Sequence, residues 1–203
     1  MAQLHALTDA LPGSNGGTAE RVWLGAASSN CFPNNAAFPL VVYRGVYDRA
    51  RDGDGAALVA ARRTGFTPPW RGVVFGYHHY HSTAWEALLC VAGGADVQWG
   101  GPSGPTLALR CGDVALVPPG VAHKQLRSEG GFALLGSYPD HEGCRTPEAD
   151  EVRSCPGSGA EREQVRRCPP PRRCPFFGSA TPWRGGLAAL WDRAPLEPLA
   201  PCE

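Results

Sequence analysis

From Trp70 to Tyr138 the chain is written as short apolar runs set apart by glycine and proline punctuation: GVVFGYHHYH, EALLCVA, ADVQW, TLALR, VALVP, HKQLR and FALLGSY. None exceeds ten residues, so none can sustain the 3.6-residue apolar period of a core-facing helix. About seven strands at 8–12-residue spacing, each bounded by turn residues, are the mark of an antiparallel sandwich or barrel. The breaks Gly93-Gly94, Gly100–Pro105, Cys111-Gly112-Asp113, Pro118–Gly120 and Gly130-Gly131 are expected to be its turns. Composition agrees. The 203 residues include 26 Gly and 20 Pro, yet 43% are hydrophobic, too many for a disordered chain.

Around this block the organisation is coarser. Residues 1–33 form a partly flexible N-terminal segment with a Gly-rich stretch at Leu11–Thr18. The barrel spans 34–139 and opens with the strand-like FPLVVY after Pro33-Asn34-Asn35. Asp54–Arg63 reads as a short helix, with Asp54 as N-cap, arginines in the last turn and Gly65 beyond. A charged, Pro-rich connection covers 140–174, with a solvated helix expected at Ala160–Arg167 and a stiff polyproline-like linker in CPPPRRC. The apolar segment at 175–203 is expected to dock on the barrel through PFFGSATPWRGGLAALW. The fold class is therefore all-β, with one or two short helices and a docked tail.

Charge excludes some partners. Nineteen basic residues balance nineteen acidic ones, which is not the footprint of a sequence-independent nucleic-acid binder. No apolar run approaches the length of a membrane span. Met1–Gly17 carries no Lys or Arg, so a signal or transit peptide is not expected and the reading is cytoplasmic, with the eight cysteines reduced.

Four residues carry chemistry. In Tyr77-His78-His79-Tyr80-His81, strand parity turns His79 and His81 to one face and His78 and Tyr80 to the other. Glu86 opens the next run, where a neighbouring strand can bring it beside the pair. His123 ends GDVALVPPGVAH, whose Pro-Pro-Gly turn swings an imidazole back toward the sheet. Three imidazoles and a carboxylate can surround one divalent transition metal (Fe, Mn, Ni, Co or Zn), and the absence of thiolate argues against a structural zinc site.

These residues stand in a pattern that resembles the cupin superfamily. Its first motif places HxH, four residues, Glu, six residues and Gly, here His79, His81, Glu86 and Gly93. Its second places Gly, five residues, Pro-x-Gly, two residues and His, here Gly112, Pro118, Gly120 and His123. The resemblance implies an RmlC-like double-stranded β-helix, a jelly-roll barrel with the metal inside, and a homodimer. It is tighter to single-domain cupins of the YjlB-like group, across Pro33–Trp191. The segments that carry it are PNN…FPLVVYRG, PPWRGVVFGYHHYHSTAWE, WGGPSGP, GDVALVPPGVAH and PFFG…GGLAALW. Two positions depart from the pattern: Trp85 stands where the group has a histidine, and Arg127 where many cupins have an asparagine.

Three further residues are candidates for a substrate pocket: Cys90, which shares parity with Glu86, Tyr80, and Arg127 at the barrel mouth. Tyr80 and Trp85 also read as packing residues, and His78 as structural or packed on the N-terminal segment. Cys144, Cys155, Cys168 and Cys174 lack the CxxC spacing of zinc modules. Three neutral imidazoles and one carboxylate leave a divalent ion a net positive charge, which favours a small anionic ligand. The expected function is a metal-dependent oxidoreductase of the dioxygenase or oxidase type acting on a small organic acid. A non-catalytic binding or sensing protein and a metal-dependent isomerase are the alternatives.

Overall fold

The computed structural model of the chain describes residues 7–12, 18–24, 32–48, 65–67, 69–139, 152–153, 157–174 and 186–192. Their strands are β1 (Leu7–Pro12), β2 (Thr18–Leu24), β3 (Asn35–Arg44), β4 (Trp70–Gly72), β5 (Tyr80–His81), β6 (Glu86–Trp99), β7 (Thr106–Arg110), β8 (Val114–Val117), β9 (His123–Ser137) and β10 (Val152–Arg153). Every pairing is antiparallel. The main sheet runs β1-β2-β3-β8-β6-β9-β4, with β7 beside the second half of β6, while β5 and β10 form a separate ladder. The path does not return from β4 to β1, so the jelly-roll sheet is not closed among the described residues.

Two of the expected turns are not turns. β6 runs 14 residues and β9 runs 15, paired from Ala87↔Ser137 to Trp99↔His123 straight through Gly93-Gly94 and Gly130-Gly131. Register shifts fall at Cys90/Ala92, Ala92/Gly94 and Asp96/Val97. Gly93, Gly130 and Gly131 take φ values of 57°, 63° and 68°. Glycine tolerates that conformation, so both strands kink together as bulges and the ladder continues instead of reversing. The two backbones close to a distance that excludes a side chain: a Cβ on Gly93 would lie 2.2 Å from the Glu129 carbonyl oxygen.

The consequence is a ribbon bent back on itself. His123 pairs with Trp99, at the far end of β6 from Glu86. At a rise of about 3.3 Å per residue a straight ribbon would hold His123 roughly 40 Å from Glu86. The His123 Nε2 and Glu86 Oε2 atoms are 3.2 Å apart.

Doubling the sheet gives it an inner and an outer apolar face. Leu88, Cys90, Val97 and Trp99 pack inward with Leu40, Val42, Val117 and Leu134. Ala87, Leu89 and Val91 alternate to the outer face with Val41, Tyr43, Leu116 and Trp85. Burial on both faces explains why β8 is apolar at every position rather than alternating.

The outer face is covered by the C-terminal part of the chain. A 3₁₀ turn at Gly186–Leu190 buries Leu190 there, and the Trp191 ring lies tilted at 5.1 Å from Trp85 and edge-on at 5.5 Å from Phe38. Of the tail expected to dock there, only residues 186–192 are described; 175–185 and 193–203 lie outside the described set. Helix α1 (Gly159–Arg167) is capped by Ser158, whose hydroxyl accepts from Glu161 N while the Glu161 carboxylate accepts from Ser158 N. It is not wholly solvated, because Val165 is buried against Gly120. CPPPRRC is anchored at both ends, with Cys168 and Cys174 buried in the outer core. The expected helix at Asp54–Arg63, and Cys144 and Cys155, fall outside the described residues.

Candidate metal centre

GVVFGYHHYH is not one strand. Only Trp70–Gly72 and Tyr80–His81 pair, and residues 73–78 are irregular. The parity of the histidines survives because His79 bridges His123, with reciprocal backbone hydrogen bonds of 3.2 and 2.9 Å, and His81 pairs with Val152.

His79, His81 and His123 are all buried, and their candidate ligand atoms lie within 4.8 Å of one another. Glu86, the first residue of β6, reaches the same point: Oε2 is 3.2 Å from His123 Nε2 and Oε1 is 3.7 Å from His81 Nε2. The structure thus brings together all four residues singled out by their spacing. The His79 and His123 rings have centroids 4.1 Å apart.

The ring orientations leave lone pairs facing inward. His79 Nδ1 lies 3.3 Å from the Tyr77 carbonyl and His123 Nδ1 lies 3.1 Å from that of Val121. A proton on each Nδ1 satisfies those carbonyls and leaves Nε2 as an acceptor. The Val121 carbonyl thereby supplies the outer partner for His123 that an asparagine at position 127 would otherwise have to provide. His81 Nδ1 and Glu86 Oε2 are buried without a hydrogen-bond partner among the described residues.

Burial acts to raise the Glu86 carboxyl, but the His81 and His123 imidazoles outweigh it and hold it well below the usual carboxylate range. Burial, then His123, pushes His79 down to about 3, so its ring is neutral at pH 7. A buried carboxylate facing three imidazole nitrogens is a donor set that a divalent cation would satisfy. Donors that bind a metal at about 2.1 Å stand roughly 3–4 Å from each other, which is the spacing of the Glu86 contacts. The donor set fits a divalent ion.

One residue at the centre has no local sequence signal. Tyr138, just past β9, donates from its hydroxyl to Glu86 Oε1 at 3.2 Å, and its ring stands edge-on to His81 at 5.4 Å. Burial and the neighbouring Glu86 raise its phenol. Its place follows from register, because Ala87 pairs with Ser137 and so Tyr138 falls beside Glu86. An aromatic lip also escaped the sequence reading. Phe75 and Tyr77 stack at 5.1 Å and both touch the His79 ring, at 4.8 and 5.8 Å, while remaining 43% and 54% exposed.

The three pocket candidates lie elsewhere. Tyr80 is buried on the reverse face with Phe32 and Ala122. Cys90 does face inward, but four residues along β6 from Glu86, about 13 Å. Its thiol donates to the Ala92 carbonyl, and burial raises it to about 12. Arg127 is exposed and paired with Asp96 at 2.6 Å. His78 packs on Phe32 at 5.5 Å. Trp85 points away from the centre into the outer core.

No family model matches the chain. Over 107 residues it is 41% identical to the uncharacterized protein YjlB of Bacillus subtilis, a match covering 53% of this chain and 62% of that protein's length. Among solved structures it is similar to RmlC from Streptococcus suis in complex with dTDP-D-xylose, at 11% identity and a TM-score of 0.31 over 83% of this chain and 97% of that one. Streptomyces albus HEPD with 2-hydroxyethylphosphonate and Fe(II) bound gives 14% identity and a TM-score of 0.28 over 68% and 25%. A cupin 2 domain-containing protein from Halorhodospira halophila gives 16% identity and 0.24 over 72% of each chain. Among the described residues no helix is long and apolar enough to cross a membrane.

Proposed function

We propose that this chain, a cupin by its two histidine motifs and its antiparallel sheet, holds one divalent transition metal through His79, His81, Glu86 and His123. We infer that it uses the metal as an oxidoreductase of the dioxygenase or oxidase type on a small organic acid. The observation that carries this reading is the cluster of three buried imidazoles, their ligand atoms within 4.8 Å of one another, beside the Glu86 carboxylate, whose Oε2 lies 3.2 Å from His123 Nε2 and whose Oε1 lies 3.7 Å from His81 Nε2. A metal there supplies Lewis acidity and, for iron or manganese, electron transfer to dioxygen.

The chain's own side chains do the rest. The Tyr77 and Val121 carbonyls hold His79 and His123 in the tautomer that presents Nε2. Trp99, at 5.7 Å from the His123 ring, and the Phe75–Tyr77 lip keep the surroundings apolar, which strengthens the pull of a cation on an anionic ligand. A binding or sensing role without turnover is favoured by a different observation: Tyr80, Cys90 and Arg127, the polar candidates for handling a substrate, lie away from the centre.

Metal analysis of protein purified from cells supplied with Mn, Fe, Co, Ni and Zn tests the reading. Stoichiometric metal is expected in the wild type and none in a His79→Ala/His81→Ala variant. Metal-free wild-type protein overturns it. Oxygen consumption with small carboxylic and keto acids separates turnover from ligand-dependent stabilisation alone.

A further inference from the structure

We propose that Tyr138 is a positioning residue that fixes Glu86 as a one-oxygen metal ligand, an inference that rests on the metal reading above. A carboxylate can bind an ion through one oxygen or through both, and a free glutamate side chain can interchange the two modes. Here the two oxygens are differentiated. Oε1 accepts from the Tyr138 hydroxyl at 3.2 Å and lies 3.7 Å from His81 Nε2, whereas Oε2 lies closer to an imidazole, 3.2 Å from His123 Nε2, and has no hydrogen-bond donor among the described residues. The hydroxyl occupies one oxygen and leaves the other for the ion.

The phenol is itself held in place. Its ring lies against His81 at 5.4 Å and beside Trp70 at 6.5 Å. Trp70 in turn lies over Gly136, where a Cβ would come 2.1 Å from the indole. Thr67 grips the backbone on the other side: Tyr138 N donates to Thr67 Oγ1 at 3.1 Å, Thr67 N donates to the Tyr138 carbonyl at 2.8 Å, and Ser137 Oγ donates to the Thr67 carbonyl at 2.7 Å. The chain of contacts thus runs from Thr67 through the Tyr138 backbone and hydroxyl to Glu86 Oε1. Second-layer contacts of this kind orient ligands and set metal affinity. A carboxylate confined to one oxygen also keeps a coordination position free for a substrate, which a chelating Glu86 would take.

The test is Co(II) titration of metal-free wild type, Tyr138→Phe and Thr67→Val, with chelator-competition affinities and visible absorption spectra. Tyr138→Phe retains the ring against His81 and Trp70, so the melting temperature of its metal-free form is expected to match the wild type. Its Co(II) affinity is expected to fall about 10–100-fold. Its spectrum should weaken and shift as the freed Oε1 raises the coordination number. Thr67→Val should move both readouts the same way by a smaller amount. Wild-type protein that binds Co(II), with a Tyr138→Phe variant of unchanged affinity and spectrum, overturns this inference and leaves the metal reading standing. Wild-type protein that binds no metal overturns both. If Tyr138→Phe does not fold, an unchanged spectrum in Thr67→Val overturns the inference.

Discussion

Replacing Gly93 by alanine attacks the bend that makes the centre possible. Two costs can be worked from the structure. The first is conformational: at φ 57° a residue with a Cβ loses about 1–2 kcal/mol relative to its preferred regions. The second is steric. The new methyl would lie 2.2 Å from the Glu129 carbonyl oxygen and 2.6 Å from that of Gly130, both backbone atoms that cannot rotate away. Relief requires parting β6 from β9 at the bulge, where the Gly93 carbonyl also accepts from Cys111 N at 2.9 Å. Each hydrogen bond lost at this partly exposed bulge adds about 0.5–1.5 kcal/mol, for a total of about 3 kcal/mol.

Gly131→Ala is the control. Its φ of 68° imposes the same conformational cost, but nothing lies within 4 Å of its added methyl, so about 1–2 kcal/mol is expected. For a chain of this size a loss of 1 kcal/mol lowers the melting temperature by about 2–4 °C. Thermal and urea denaturation of the metal-free proteins, followed by circular dichroism, should therefore give a fall of roughly 6–12 °C for Gly93→Ala and roughly 2–8 °C for Gly131→Ala. Equal losses in the two variants would refute the claim that backbone contact at Gly93 sets the bend.

Two further outcomes follow from groups already described. Asp113 is buried, and its carboxylate accepts from Gly45 N, Arg110 N and the Arg44 guanidinium at 3.0, 3.1 and 2.7 Å; Asp113→Ala should cost about 3 kcal/mol in urea unfolding, and a loss below about 1 kcal/mol would contradict that network. His79 titrates near 6.5 when unfolded but at about 3 when folded, so between those values the unfolded state binds the extra proton. Its contribution is fully present above pH 6.5 and drains away as the pH falls toward 3; melting of chelator-treated protein at pH 7.5, 6 and 5 should show this decline, and Glu86, lowered by the same neighbours, adds to it at still lower pH.

The four candidate ligands were legible because their signals are local. Parity at 79–81 needs two residues of strand, and the Pro118–Gly120 turn fixes the approach of His123 within three residues. Tyr138 was not legible because it is 52 residues from Glu86 and meets it only through the β6–β9 register. Two consecutive glycines are equally compatible with a hairpin turn and with paired bulges, and only the partner strand decides between them. That is why Gly93-Gly94 and Gly130-Gly131 were misread while Gly112 and Gly120, in short tight turns, were not. Cys90 shows the limit of parity: it names the correct face of a strand but says nothing of distance along it.

The doubled ribbon also bears on kinetics. Glu86 and His123 are 37 positions apart in the chain and meet only after β6 and β9 have paired and folded over, so the loop-closure entropy is already spent when the ligands first come together. An ion gripped by both ends would recognise that finished state and no earlier one. It would leave the rate of folding almost untouched and slow the opening of the ribbon, so that the lifetime of the folded chain, more than the speed of reaching it, would depend on the metal.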